Sequence, residues 1–300
     1  MSIAIRYVRA NGFEFRCRFA GSEGEPVILL HGLPETSAQW SGLIVELVGA
    51  GYRCLAPDQR GYSPGARPGS VDEYALDRLA SDVIAIADEC GVGRFHLVGH
   101  DWGAAAGWAV VRDHAQRVAS WAALSVPHLA SYGAAFELPE HRANVAYIDS
   151  MLVPGKVEEE LSRNGFEHLH QLWASMAPQY AADYESVFTQ PGALTATLNW
   201  YRANFANRDQ RARSFAPFDV STPSLTIWGN GDPYIGRPAT IGERDFMRGP
   251  YRFAELDAGH WLMHEAKERC HREIVGHVQA HPLQARSPAE AGHKPRASDS

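Results

Sequence analysis

The spacing of hydrophobic positions changes repeatedly along the chain. Residues 3–8 and 13–20 flank Ala10-Asn11-Gly12, a turn-forming tripeptide, which predicts an opening antiparallel hairpin. The next pattern is a set of short apolar runs bounded by Gly, Pro or Asp, at 27–30, 53–56, 95–98, 118–125, 225–228 and 252–256. Runs of that length without alternation suit strands buried on both faces of a parallel sheet. Between them lie segments with helical spacing, clearest at 74–89, where Leu76, Leu79, Val83, Ile84 and Ala87 share a face. Alternating strands and helices predict a mostly parallel α/β sheet with helices on both sides.

From 127 to 216 the strand signals stop. Pro139, Pro154-Gly155, Pro178 and Pro191-Gly192 break that stretch into helices, so it is read as a helical cap inserted into a core made of residues 1–126 and 217–280. From 281 to 300 the chain turns to Pro, Ala, Ser and charge, with too little apolar material to pack, and a disordered tail is expected. A content of 45% hydrophobic and 21% charged residues is that of a soluble globular protein, and no window is long and apolar enough to span a bilayer. Charge arrives by Arg6, before any signal-peptide core could form, which predicts a cytoplasmic protein. Cys17, Cys54, Cys90 and Cys270 stand singly, as buried thiols rather than a disulfide framework. The net charge of −7 comes with no basic stripe, so nucleic acid is not an expected partner. Oligomeric state stays open.

Candidate chemistry starts at Gly99-His100-Asp101-Trp102-Gly103, between the run at 95–98 and the small-residue stretch Ala104-Ala105-Ala106-Gly107. A sharp strand-to-helix turn of this kind lifts its central side chain clear of the sheet, and flanking glycines let backbone approach without a Cβ clash. Asp also caps helices, so the pentapeptide alone leaves two readings open. His31-Gly32-Leu33-Pro34-Glu35 follows the run at 27–30, where backbone N–H groups can hold an oxyanion; the donors are expected to be Leu33 and Trp102. Asp232 follows the run at 225–228, and His260 follows the last run. The chain order is thus nucleophile, acid, histidine. Asp257 shares the histidine's own loop and is the poorer candidate for the acid.

Taken together, these segments, with Asp58-Gln59-Arg60-Gly61-Tyr62 and Gly259-His260-Trp261, resemble the epoxide hydrolases of the α/β-hydrolase fold over about residues 1–280. Asn199-Trp200-Tyr201-Arg202 is similar to the family segment that carries one of two epoxide-activating tyrosines, which implies that role for Tyr201. The second tyrosine precedes a Pro-Gly in the family, which points to Tyr147, upstream of Pro154-Gly155. The resemblance implies a small hydrophobic epoxide and water as partners, with no metal or organic cofactor.

The residue types fit that chemistry. A serine attacking an sp³ carbon would form an ether that activated water has no good way to cleave, whereas an aspartate forms a hydrolysable ester. Haloalkane dehalogenation shares the Asp-His-Asp set but needs a second N–H donor for the halide, and none is evident. Fluoroacetate dehalogenases carry arginines just after the nucleophile, where this chain has Trp102, Ala104 and Ala105. A non-catalytic binding module would be expected to lose one of the three residues. His168 and His170 do not share a helix face as metal ligands would, and packing explains Trp200 and Trp261 as well as pocket lining does.

Overall fold

The computed structural model describes residues 2–283. Eight strands form one sheet, β1 (Ala4–Ala10), β2 (Phe13–Ala20), β3 (Pro26–Leu30), β4 (Arg53–Pro57), β5 (Phe95–His100), β6 (Val118–Leu124), β7 (Ser224–Gly229) and β8 (Tyr251–Leu256). Their spatial order is β1-β2-β4-β3-β5-β6-β7-β8. The hairpin β1-β2 and the pair β2-β4 are antiparallel, and every later pairing is parallel. Helices α1 (Ser41–Gly49), α2 (Leu76–Glu89) and α3 (Trp102–His114) connect the first strands. Between β6 and β7 come α4 (Leu129–Ala135), α5 (Arg142–Val145), α6 (Ile148–Met151), α7 (Lys156–Met176, broken where Arg163, Asn164, Gly165 and Phe166 leave helical geometry), α8 (Ala181–Phe188), α9 (Ala193–Phe205) and α10 (Arg208–Ser214). The chain then adds α11 (Arg237–Ile241), α12 (Leu262–Glu265) and α13 (Lys267–Ala280). No helix among the described residues is long and apolar enough to cross a membrane.

Burial follows position in the sheet. β3, β5, β6 and β7 are buried at every residue, as expected of strands covered on both faces. β8 departs from the both-faces reading of its apolar run. It is an edge strand, and only Ala254 and Leu256 of it are buried. The expected helix at 74–89 begins at Leu76, because Val71–Tyr74 close a 3₁₀ turn first. The disordered tail expected at 281–300 falls, from residue 284 onward, outside the described residues.

The strand order reverses around β3. The chain leaves β3 towards β4 on one side and leaves β5 towards β6 on the other, so the loops after β3 and β5 part and open a crevice at their carboxyl ends. The helices between β6 and β7 are tied to the loops around that crevice. Trp173 Nε1 donates to the Pro34 carbonyl at 2.9 Å and Trp200 Nε1 to the Arg60 carbonyl at 2.9 Å. Asp183 of α8 accepts from Arg16 and Arg18 of β2 and from Thr36. Where this helical stretch begins, the buried Glu243 accepts from the His128 N–H at 3.0 Å, from Thr226 of β7 at 2.8 Å and from the Tyr251 hydroxyl of β8 at 2.8 Å.

Candidate active site

Asp101 stands alone between β5 and α3 with φ 52° and ψ −123°, a conformation costly for any residue with a Cβ. Close packing holds it there. A Cβ at Gly103 would lie 2.1 Å from the Leu30 carbonyl oxygen, so α3 can press against β3 only with glycine at that position. A Cβ at Gly32 would lie 2.4 Å from the Asp101 Cβ, so glycine there lets the loop after β3 reach the carboxylate. The Leu33 N–H then donates to Asp101 Oδ1 at 2.8 Å, and Trp102 is the first residue of α3, next to Asp101.

Asp232, after β7, and His260, after β8, complete the cluster. His260 Nδ1 donates to Asp232 Oδ2 at 2.8 Å, which leaves Nε2 facing Asp101 Oδ2 at 3.5 Å. The other Asp232 oxygen accepts the Tyr234 and Ile235 N–H groups at 2.8 and 2.9 Å. Burial alone would push Asp232 up, but His260 and these amides hold it below the usual carboxylate range. Burial alone would likewise push His260 down. Two flanking carboxylates outweigh that and raise it to about 10, so the ring carries a proton while both are charged. Asp257 is exposed on the same loop as His260.

The helical stretch supplies the opposite wall. Tyr201 of α9 and Tyr147, just before α6, lie with ring centroids 6.1 Å apart and share a cavity of about 150 Å³ with Asp101 and His260. Both phenols are pushed above their ordinary value, first by burial. For Tyr201 the next contribution is the Asp101 charge, and for Tyr147 it is Tyr201. Both keep their protons at neutral pH. Trp102 packs edge-on to Tyr201 at 4.9 Å. Trp261 lines the cavity, whereas Trp200 is buried behind it against Tyr62 and Trp102. His168 stands exposed where the cavity meets the surface.

Residue patterns alone missed two parts of the site. Tyr234 packs edge-on to both His260 (5.0 Å) and Tyr147 (5.2 Å), bridging the two walls; its place two residues after Asp232 was the available signal. Glu35, given no role by the first motif, is fully buried. It accepts from Tyr184 at 3.1 Å, His264 Nε2 approaches it to 2.5 Å, and His100 Nδ1 lies 3.3 Å away. Burial would raise this carboxyl, yet the two histidines hold it well below the ordinary range. His100 in turn donates from Nε2 to the His260 carbonyl at 2.9 Å.

Comparison with known families matches residues 25–267 to the alpha/beta hydrolase fold. Epoxide hydrolase A of Mycobacterium tuberculosis is 34% identical over 303 aligned positions, covering 87% of this chain and 92% of that protein. The chain belongs to the epoxide hydrolase branch of the α/β-hydrolase fold. This α/β hydrolase is also 32% identical to the AB hydrolase superfamily protein YfhM of Bacillus subtilis, across 92% of this chain and 98% of that one. Among solved structures, epoxide hydrolase A of Mycobacterium thermoresistibile superposes with a TM-score of 0.82 at 27% identity, covering 94% of this chain and all (100%) of that chain.

Proposed function

We propose that this α/β hydrolase opens small hydrophobic epoxides to vicinal diols through a covalent ester on Asp101, within a core of residues 1–126 and 217–280 and under a cap formed by residues 127–216. The observation that carries the reading is a pair of protonated phenols, Tyr147 and Tyr201, sharing one cavity with an aspartate backed by a histidine and a second aspartate. An alkoxide leaving group needs a proton, and the phenols supply it.

In the first half-reaction an Asp101 oxygen forms a bond to one epoxide carbon as the ring C–O bond breaks. The ring oxygen takes a proton from Tyr201 or Tyr147. Esterification removes one of the two charges that keep His260 protonated, so its basicity falls and the imidazolium can return a proton to the phenolate. Neutral Nε2 then takes a proton from water as that water attacks the carbonyl carbon of the ester. The tetrahedral oxyanion rests on the Leu33 and Trp102 N–H groups, each worth about 3 kcal/mol. Collapse expels the alkoxide, which takes the proton from His260 and leaves as diol, and the Asp101 carboxyl that remains passes its own proton to His260, restoring carboxylate and imidazolium. Water and epoxide are the only reactants the cycle consumes.

A single turnover in ¹⁸O-water with enzyme in excess tests this reading. Label is expected in the Asp101 peptide with unlabelled diol, because the new diol oxygen comes from the aspartate. Label in the diol would mean that water attacks the epoxide directly. Bromide release from a bromoalkane without diol formation from any epoxide would replace the epoxide reading with dehalogenation.

A further inference from the structure

Two cavities meet at Asp101. The larger, about 150 Å³, runs past Met151 and Leu172 to the exposed His168. The smaller, about 20 Å³, lies on the other side and is walled by Trp102, Val126, Tyr132, Phe205, Phe215 and Ile235, all buried, so it is blind. Asp101, Tyr147 and Tyr201 border both. An epoxide held between the carboxylate and the phenols therefore straddles the junction, with the substituents of one ring carbon in the large arm and those of the other in the blind arm.

The volumes set what each arm takes. An apolar cavity of about 150 Å³ binds one benzene, whereas about 10–15 Å³ admits a single water. The blind arm thus has room for a hydrogen or a methyl group. Its wall is interlocked: the Phe205 and Phe215 centroids are 5.0 Å apart, and Tyr132 and Phe215 are 5.9 Å apart. A Cβ at Gly133 would come within 2.7 Å of the Phe215 Cβ, which leaves α4 no slack to move inward and Phe215 little room to move out. In the large arm the Thr197 hydroxyl is already donated to the Leu194 carbonyl at 3.0 Å.

We infer that the substrates are epoxides bearing one apolar, benzene-sized substituent on one carbon and only hydrogen or methyl on the other, and that the wall of Tyr132, Phe205 and Phe215 excludes a second large group. This rests on the epoxide reading of the site. The test compares kcat/KM for styrene oxide, trans-β-methylstyrene oxide and trans-stilbene oxide in the wild type, in Phe215→Ala and, at a second residue lining the blind arm, in Val126→Ala. The wild type is expected to hydrolyse the first two and to turn over stilbene oxide at least 100-fold more slowly. In a folded wall variant the stilbene-to-styrene ratio is expected to rise at least tenfold. Stilbene oxide within tenfold of styrene oxide in the wild type, or no rise in the ratio in either variant, overturns the inference and leaves the epoxide reading standing. Hydrolysis of none of the three, nor of an unbranched terminal epoxide, overturns the epoxide reading and the inference with it.

Discussion

The sheet and the helices between β6 and β7 furnish the same cavity by different means. On the sheet side, Asp101, Asp232 and His260 sit on short loops at strand ends and are held by hydrogen bonds that involve main-chain groups: Asp101 accepts the Leu33 N–H, Asp232 accepts N–H groups of its own loop, and the His260 carbonyl accepts from His100. On the helical side, Tyr147 and Tyr201 are placed by ring packing against Trp102, Phe205 and Tyr234. Hydrogen bonds to backbone fix a side chain to tenths of an ångström and leave a motif, whereas packing can be met by many combinations of apolar residues. In the proposed reaction the sheet side makes and breaks the ester, and the helical side makes the leaving group an alcohol. That division of labour fails if either half can be lost without losing its own step.

Asp101→Ala should have the largest effect. Diol formation falls by about 10⁴-fold or more, with circular dichroism unchanged, because the bond-forming atom is gone. His260→Gln comes next and is the sharper test of the division of labour. Alkylation still proceeds, so mass spectrometry should show the protein heavier by one epoxide, while steady-state turnover drops by about 10³-fold. A His260→Gln enzyme that accumulates no adduct would take the histidine out of the second step.

Tyr201→Phe and Tyr147→Phe probe the other half. Each should slow alkylation by about 10²-fold, and the double variant by up to about 10⁴-fold. Breakdown of the ester, followed once it has formed, should keep its rate. Glu35→Gln stands between the halves, since it braces the loop that carries the Leu33 N–H and, through His100, the backbone of His260. Misplacing an oxyanion donor by a fraction of an ångström predicts a fall in kcat of about tenfold to 10²-fold with little change in KM. A change in KM alone would mean that Glu35 only supports the shape of the cavity.

The same contrast decides what the sequence made legible. The strands could be placed because Gly, Pro and Asp punctuate their apolar runs, and the triad candidates because each follows a strand at a glycine-marked loop. Tyr201 and Tyr147 came from family resemblance; within their helices nothing but that sets them apart from packing aromatics. Glu35 and Asp183 were unreadable for another reason. Each gains its meaning from partners far along the chain, Glu35 from His264 and Asp183 from Arg16 and Arg18, and no local pattern marks such a pairing. Tyr234 differs again, being adjacent to a marked residue yet acting through its ring.

The smallest effect on turnover is expected where the two halves join, and there the readout is stability. Burial raises the Glu243 carboxyl from 4.5 to about 7, although Tyr251, Thr226 and the His128 N–H all donate to it. A carboxyl raised in the folded state contributes stability that is fully present below its unfolded value near 4.5 and is lost as pH rises through about 7. The sign is therefore opposite to that of Asp232, whose carboxyl is lowered on folding and which loses its contribution as pH falls. Glu243→Gln keeps a neutral side chain of the same shape, with oxygen still available to His128 and Thr226. Its melting temperature relative to wild type should climb between pH 4.5 and pH 8, by an amount corresponding to roughly 3 kcal/mol at most. A difference in melting temperature that does not change with pH would show that Glu243 is neutral throughout or already ionised at low pH. Either result would leave the joint between sheet and helices indifferent to protonation.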